Sequence, residues 1–379
     1  MWLQSIRLRN FRNHLNSEFS FGEGVNVLLG NNGQGKTSVL EAISYLCLTK
    51  SFYASRDSVA VNHHQDAFEV EGLFRSASGV ESPVRVAFEK TRGEKAFFLN
   101  RRNVEPLSSM LGKFPVVICS PEHAPITIGS PADRRSFVNL VMSQDSPLYY
   151  GSLVEYQKVL KHRNKILLDG KLGGKDVESV IEPWNDQLTA FGSEIVLRRR
   201  KFTEEFQVYL RSAYQQIAEG EEPNIGYQSF TAGTEENVNE VRERFIQQLR
   251  EKRFEERRTG ASLVGPHRDE FVFTVNDHDA RKFASQGQHK TFLVALKLAE
   301  FFYLKERRQE TPIMLLDDIF SELDEHRATR LIDFISSLGQ TFLTSTYLHI
   351  FDRTIEFGET SRKFFIEQGS IAEHRTAPV

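Results

Sequence analysis

Cysteine is nearly absent from this chain of 379 residues: Cys47 and Cys119 are the only two, each inside an apolar stretch. Buried, reduced thiols fit that placement and suit the cytoplasm. Long hydrophobic runs are missing as well. No apolar segment approaches the roughly 20 residues of a membrane span, so no membrane association is expected. The opening stretch MWLQSIRLRNFRNH alternates apolar and charged residues and has no apolar region of the signal-peptide kind. An excess of one charge is also lacking. Lys and Arg total 48 against 51 Asp and Glu, for a net charge of −3. No global basic field advertises nucleic acid, and a DNA site has to be a local patch.

What is there is an ordinary globular composition, 40% hydrophobic and 26% charged. The length allows one large or two ordinary domains. Residues 2–9 and 15–21 alternate as strands, and GVNVLLG (24–30) reads as a buried central strand. A helix is predicted from Lys36, with Val39, Leu40, Ile43 and Leu46 on one face. FEVEGLF, VRVAFEK and KAFFLNRRNV suggest an antiparallel meander, and FPVVICS (114–120) another buried strand. Ser130-Pro131-Ala132-Asp133 has the form of a helix start.

Residues 146–260 differ in character. Trp184, Leu188, Phe191, Ile195, Phe202, Phe206, Tyr209 and Ala213 form a heptad-like apolar seam, and Leu153, Tyr156, Leu160 and Leu167 a shorter one. The turn-forming DGKLGGKD between them predicts an antiparallel helical hairpin. Strand patterns return after Gly260, so one αβ domain is expected to be split by a helical insertion.

The segment GNNGQGKTS matches G-x-x-x-x-G-K-[ST] at Gly30, Gly35, Lys36 and Thr37, between a predicted strand and a predicted helix. The candidate nucleotide-binding residues are therefore Gly30, Asn31, Asn32, Gly33, Gln34, Gly35, Lys36, Thr37 and Ser38. Glycines let backbone N–H groups curl around phosphates, Lys36 reaches the β- and γ-phosphates of ATP, and the Thr37 hydroxyl is a ligand for Mg²⁺. A chance Gly-rich turn is the competing reading, and the strand–loop–helix context argues against it.

TPIMLLDDIFSELDEH places Asp317 and Asp318 directly after an apolar strand. Acids there are costly unless something binds them. Beside a phosphate loop, Asp317 is expected to orient Mg²⁺ and Asp318 to polarise the attacking water. Taken alone, Asp318 would equally fit a turn cap. Far away, FASQGQHKTFLVALKLAEFF (283–302) has a short polar turn running into an apolar-faced helix, the build of a second anion-binding helix start. Alone, SQGQ is also an ordinary loop–helix junction.

The order of phosphate loop, distant Ser-x-Gly-Gln turn, Asp-Asp strand and SELD resembles the ATP-binding-cassette ATPases. More narrowly, the chain looks like a member of the RecF family of bacterial recombination-repair proteins. The matching segments are LRNFRNH, GNNGQGKTS, GSPADRRSF, GPHRDEF, FASQGQHKTFLVALKLAE, MLLDDIFSELDEHR and FIEQGSI, in order along nearly the whole chain. The resemblance implies an α/β fold: an ABC-type, SMC-head-like P-loop ATPase domain with mixed sheets at residues 1–145 and 261–379, plus an inserted α-helical hairpin lobe at 146–260. It also implies that Ser285, Gly287 and Gln288 close over ATP held by a second subunit, making an ATP-dependent homodimer. Where the family commonly reads Pro-Glu-Asp-Leu, this chain has Pro121-Glu122-His123-Ala124, and Glu122 is only a candidate for the cassette loop glutamine. Transporter cassettes place a His directly after the strand that follows Asp-Asp, whereas here TFLTSTY ends it in Thr344-Ser345-Thr346, which speaks against a transporter subunit.

Arg134 with Arg135, and the run Arg198, Arg199, Arg200 and Lys201, are candidate DNA contacts. A solvated helix face is the usual meaning of such runs. The role of GPHRDEF is open; its bland reading is a Gly-Pro turn with an Arg268–Asp269 surface pair. By resemblance the function is ATP-dependent, dimerising DNA binding in recombinational repair. The expected partners are double-stranded and gapped DNA, RecR and RecO, with slow ATP hydrolysis as a clamp or timer. The alternatives are an SMC-type chromosome-structuring ATPase or an ABC transporter ATPase subunit. The first calls for very long coiled coils, whereas each arm here is at most about 40 residues, roughly 60 Å at the helical rise.

Overall fold

The computed structural model describes residues 1–174, 177–218, 220–231, 233, 237–320, 325–346 and 349–372. It divides into two compact units, Met1–Ala124 with Leu293–Val379, and Pro125–Phe292.

The first unit is built on two six-stranded sheets. Strands with alternating burial form the antiparallel one, in the order His14–Ser20, Trp2–Phe11, Ala67–Arg75, Glu81–Glu89, Glu94–Leu99 and Arg102–Asn103. This is the predicted meander, with the first two strands added to it. The other sheet runs Ser370–Ile371, Arg362–Glu367, Val25–Leu29, Thr341–Ser345, Ile313–Asp317 and Val116–Cys119. All but the first of these are parallel. Four of them are buried at every residue, which is why the sequence shows unbroken apolar runs there and not alternation.

The helix Lys36–Leu48 packs against strands of both sheets. It therefore buries Tyr45 and Cys47 along with the expected Val39, Leu40, Ile43 and Leu46. A helix covered on two sides has no polar face to show. Phe11 meets Tyr45 and Phe68 edge-on at 5.6 and 5.1 Å. Gln340 fastens the sheets to each other: its amide takes the Leu3 N–H at 2.7 Å and donates to the carbonyls of Leu3 and Gly22, each at 2.8 Å. Cys47 and Cys119 are free and buried, and burial pushes both thiols up.

The second unit holds the long helices. Pro147–Gly173 and Glu178–Gln215 pack along each other as the predicted hairpin, burying Tyr156, Leu167, Leu188, Ile195, Phe202, Phe206 and Ala213. A third helix, Val238–Thr259, lies against both; its buried Val241, Phe245 and Leu249 recur every four residues within a very charged stretch. The helix Pro131–Asp145 starts where expected, with the Asp133 carboxylate accepting the Ser130 N–H at 2.7 Å. An antiparallel sheet of Pro223–Gln228, Glu270–Val275 and His278–Asp279 completes the unit. The unit is wider than the 146–260 lobe expected from the apolar seams. Pro131–Asp145 and the small sheet pack on the long helices and belong with them.

Gly192 lets Phe245 reach the helical pair: a Cβ there would lie 2.5 Å from the Phe245 ring and 3.1 Å from that of Tyr156. Gly192→Val should therefore destabilise the lobe by about 1–3 kcal/mol through overpacking. A lowered denaturant midpoint for loss of helical signal is the measurement, and an unchanged midpoint would contradict this packing.

Candidate nucleotide site

Parallel strand register builds the site. Val25–Leu29, Thr341–Ser345 and Ile313–Asp317 are neighbours, and their carboxyl ends come to one edge, where open α/β sheets place their ligands. Val25–Leu29 leads into the glycine loop, with Gly30, Gly33 and Gly35 at φ 150°, 77° and 110°. The register sets Asp317 beside Thr344. Thr37 Oγ1 donates to Asp317 Oδ1 at 2.9 Å, and Thr344 Oγ1 donates to the same oxygen at 2.7 Å. The Asp318 N–H then donates to Thr344 Oγ1 at 2.9 Å.

Lys36 Nζ donates to the loop carbonyls of Gly30 and Asn31 at 2.8 and 2.9 Å. Burial lowers its pKa from the ordinary lysine value, opposed by the charges of Asp318 and Asp317. Burial raises Asp317 above the ordinary carboxylate range; hydrogen bonds from Thr344 and Thr37 and the charge of Lys36 pull the other way, while Asp318 adds to the rise.

A cleft of about 740 Å³ opens over these groups. Asn32, Gly33, Gly35, Lys36, Thr37, Ser38, Asp317 and Asp318 line it, so the two motifs predicted from distant parts of the sequence meet in one place. Gly30, Asn31 and Gln34 are not in the lining. The Gln34 side-chain oxygen accepts the Gln368 N–H at 2.6 Å. Sequence reading missed Thr344, along with Arg12, Asn13, Tyr53, Asn62, His63 and His64 on the cleft wall. Arg12 is fixed there by two bonds of 2.7 Å to the Glu41 carboxylate and one of 3.0 Å to the Val59 carbonyl. Pro121 and Glu122 of the atypical segment also reach the lining. The SELD stretch, 321–324, lies outside the described residues.

In the other unit, Ser285 and Gln288 make a reciprocal cap. The Ser285 N–H donates to Gln288 Oε1 at 2.9 Å, and the Gln288 N–H donates to Ser285 Oγ at 3.2 Å. Gln288 Nε2 is held by Glu221 at 2.9 Å. Ser285 and Gly287 are exposed at the start of the helix Gln286–Arg308.

The basic candidates separate sharply. Arg199 is 2% exposed and bonds Asp269 Oδ2 at 3.1 Å, the Pro266 carbonyl at 2.7 Å, Asn139 Oδ1 at 2.9 Å and the Tyr149 hydroxyl at 3.1 Å. Arg134, 5% exposed, pairs with Glu270 at 2.8 Å. Neither has a guanidinium free to meet a phosphate, which corrects the expectation for these two. Arg135 donates to the Asp269 carbonyl and Arg200 to Thr231, and both remain half-buried. Arg198 and Lys201 face outward, 36% and 74% exposed. The same network explains GPHRDEF. Asp269 also accepts the Tyr227 hydroxyl, and His267 meets the Tyr156 hydroxyl at 2.7 Å, so the segment staples helices to the small sheet and is no surface pair.

A parallel sheet ending in a glycine loop and paired acids, with an antiparallel sheet beside it, defines a P-loop ATPase domain of the ABC type, built like an SMC head. The RecF/RecN/SMC N terminal domain profile matches residues 2–363. The DNA replication and repair protein RecF of Salinibacter ruber is 40% identical over 351 residues, which cover 91% of this chain and 85% of that protein. RecF of Chloroherpeton thalassium is likewise 40% identical over 351 residues, 91% of this chain and 95% of its own. The solved structure of the recombination mediator protein RecF–ATP in the RecFOR pathway aligns with a TM-score of 0.90 at 31% identity, covering 98% of this chain and 97% of that one. An Smc head domain of Pyrococcus furiosus, with a TM-score of 0.56 at 14% identity over 98% of this chain and 95% of that one, shares the fold alone. The chain belongs to the RecF family. Among the described residues no helix is long and apolar enough to cross a membrane.

Arg199→Ala would strand the buried Asp269 carboxylate and should cost about 3–5 kcal/mol of stability. Lys201→Ala should stay within about 0.5 kcal/mol of the parent. Denaturant midpoints of the two variants measure the contrast; equal midpoints would contradict the buried role of Arg199.

Proposed function

We propose that this chain is an ATP-dependent, dimerising DNA-binding protein of recombinational repair that works in the cytoplasm. It acts at or near single-strand/double-strand junctions and helps load recombinase on gaps. The observation that carries this reading is the gathering of Lys36, Thr37, Asp317 and Asp318 about one cleft in a RecF-family chain. ATP as the ligand is supported by the solved RecF–ATP neighbour.

The loop N–H groups and Lys36 bind the phosphates, helped by the positive end of the helix Lys36–Leu48. Thr37 and Asp317 offer hard oxygen donors on adjoining elements, the set that Mg²⁺ takes beside nucleotide phosphates. When bound, Mg²⁺ supplies neutralisation of phosphate charge. A cation beside Asp317 also offsets the burial that otherwise disfavours its ionised form. Asp318, exposed at the strand end and held by its N–H on Thr344, polarises the attacking water.

Ser285, Gly287 and Gln288 act in trans, on the ATP of a second copy. The exposure of Ser285 and Gly287 at a capped helix start favours that role. The resulting dimer is isologous and closes. Outward-facing Arg198 and Lys201, with Arg135 and Arg200, meet DNA phosphates, a mode that reads little base sequence. RecR and RecO are the partners, a reading supported by the RecFOR pathway named for the solved neighbour. Hydrolysis serves as a timer that releases the clamp.

Asp318→Asn tests this reading. It should bind ATP but hydrolyse it about a hundredfold more slowly or worse, because water loses its polarising carboxylate. It should therefore accumulate as an ATP-bound dimer that retains duplex DNA. Sizing parent and variant with ATP, ADP or no nucleotide, with and without duplex DNA, gives the answer. A mass that never responds to nucleotide would overturn the clamp.

A further inference from the structure

The glycine loop has an outer side as well as a cleft side, and the outer side is bonded to a hairpin from the far end of the sequence. The strand Arg362–Glu367 pairs in parallel with Val25–Leu29, setting Phe365 opposite Leu29, so its turn arrives beside the loop. There the Gly369 N–H donates to the Gln34 carbonyl at 3.0 Å and the Gln368 N–H to Gln34 Oε1 at 2.6 Å. The contact is close: a Cβ on Gly369, at φ 72°, would lie 2.1 Å from the Asn13 carbonyl oxygen, and one on Gly30 would lie 2.4 Å from that of Ile366.

A second chain of bonds runs from the turn back to the loop. Ser17 Oγ donates to the Gly369 carbonyl at 2.6 Å, and lies 2.9 Å from His14 Nδ1. His14 Nε2 is 3.0 Å from the Gly35 carbonyl. A carbonyl only accepts, so Nε2 carries the proton; in the neutral ring Nδ1 then accepts, and the single Ser17 hydroxyl proton serves either Nδ1 or the Gly369 carbonyl, one at a time. His14 is fully buried and Ser17 5% exposed, so water offers no substitute for these bonds. Gln34 and Gly35 are thus held from behind by main-chain and side-chain groups, while Gly33, Gly35 and Lys36 face the cleft.

We propose that the Gln368–Gly369 turn, through Ser17 and His14, is a positioning element for the phosphate loop, holding its N–H groups in the arrangement that binds nucleotide phosphate. The inference rests on the reading of the cleft as an ATP site. It gives the FIEQGSI segment a physical role: Gly369 is required for close approach, and the strand before it supplies register. None of these groups touches the ligand; they act on its binding by removing loop conformations that cannot bind.

Ser17→Val and Ser17→Thr separate this role from packing, because the two replacements have the same shape and only Thr keeps the hydroxyl. With a fluorescent ATP analogue, Ser17→Val should raise the Kd about five- to tenfold, and Ser17→Thr should stay within about twofold of the parent. By linkage, ATP should also slow amide hydrogen exchange at Gln368 and Gly369 in the unaltered protein. A Ser17→Val protein that binds as tightly as Ser17→Thr overturns the proposal, as does ATP-indifferent exchange at the turn. Lys36→Ala distinguishes the two levels of failure. If it binds ATP as well as the parent, the nucleotide reading falls and the positioning role with it. If it loses binding while the Ser17 variants match each other, the positioning role alone falls.

Discussion

One buried carboxylate organises the candidate nucleotide site. Asp317 closes an apolar strand at 7% exposure, where an ionised group is expensive. The fold makes it tolerable with hydroxyls from two other elements, Thr37 of the loop helix and Thr344 of the neighbouring strand. Those two bonds join three parts of the chain that are far apart in sequence. They fix where the helix Lys36–Leu48 begins relative to the strand ends, and so where the loop N–H groups point. The residual cost of the charge leaves Asp317 with its pKa raised, and a cation is the natural partner for such a group.

The second unit follows a related logic with a different outcome. Arg199 and Asp269 form another buried charged pair, but every donor of the guanidinium that the contacts account for is directed at protein acceptors. Nothing about this pair invites a ligand. It welds the helices Pro131–Asp145, Pro147–Gly173 and Glu178–Gln215 to the segment before Glu270–Val275. Arg163 and Glu256 repeat the device at 2.6 Å, with Asn185 and Ser262 accepting from Nε and one terminal nitrogen. A lobe made of long helices gains a defined arrangement from such pairs that apolar seams alone specify less sharply.

Much of this was legible in the sequence. The glycine loop and the paired acids could be read because each motif is contiguous, and its chemistry needs adjacent residues. The buried parallel strands could be read because burial on both faces leaves unbroken apolar runs. Thr344, Ser17 and His14 could not be, since their roles depend on strand register between residues hundreds of positions apart, as with the pairing of Phe365 with Leu29. Gln34 was read as part of the glycine loop from motif membership alone, which gave no sign that its side chain accepts from Gln368. Within the RRRK run, Arg199 departs from the others for a geometric reason. Successive helical residues point about 100° apart, so a run of four cannot all face solvent on a packed helix. Here Arg199 is the one that points inward. The helix Val238–Thr259 was hidden because three buried apolar residues are few against so many charges.

The most direct test of the central claim is the dependence of ATP affinity on Mg²⁺, measured by titration in the parent and in Asp317→Asn. The substitution preserves shape and removes the charge. Mg²⁺ should tighten ATP binding in the parent, and Asp317→Asn should lose most of this gain while keeping the affinity seen without Mg²⁺. The same gain in both proteins would contradict the role given to Asp317.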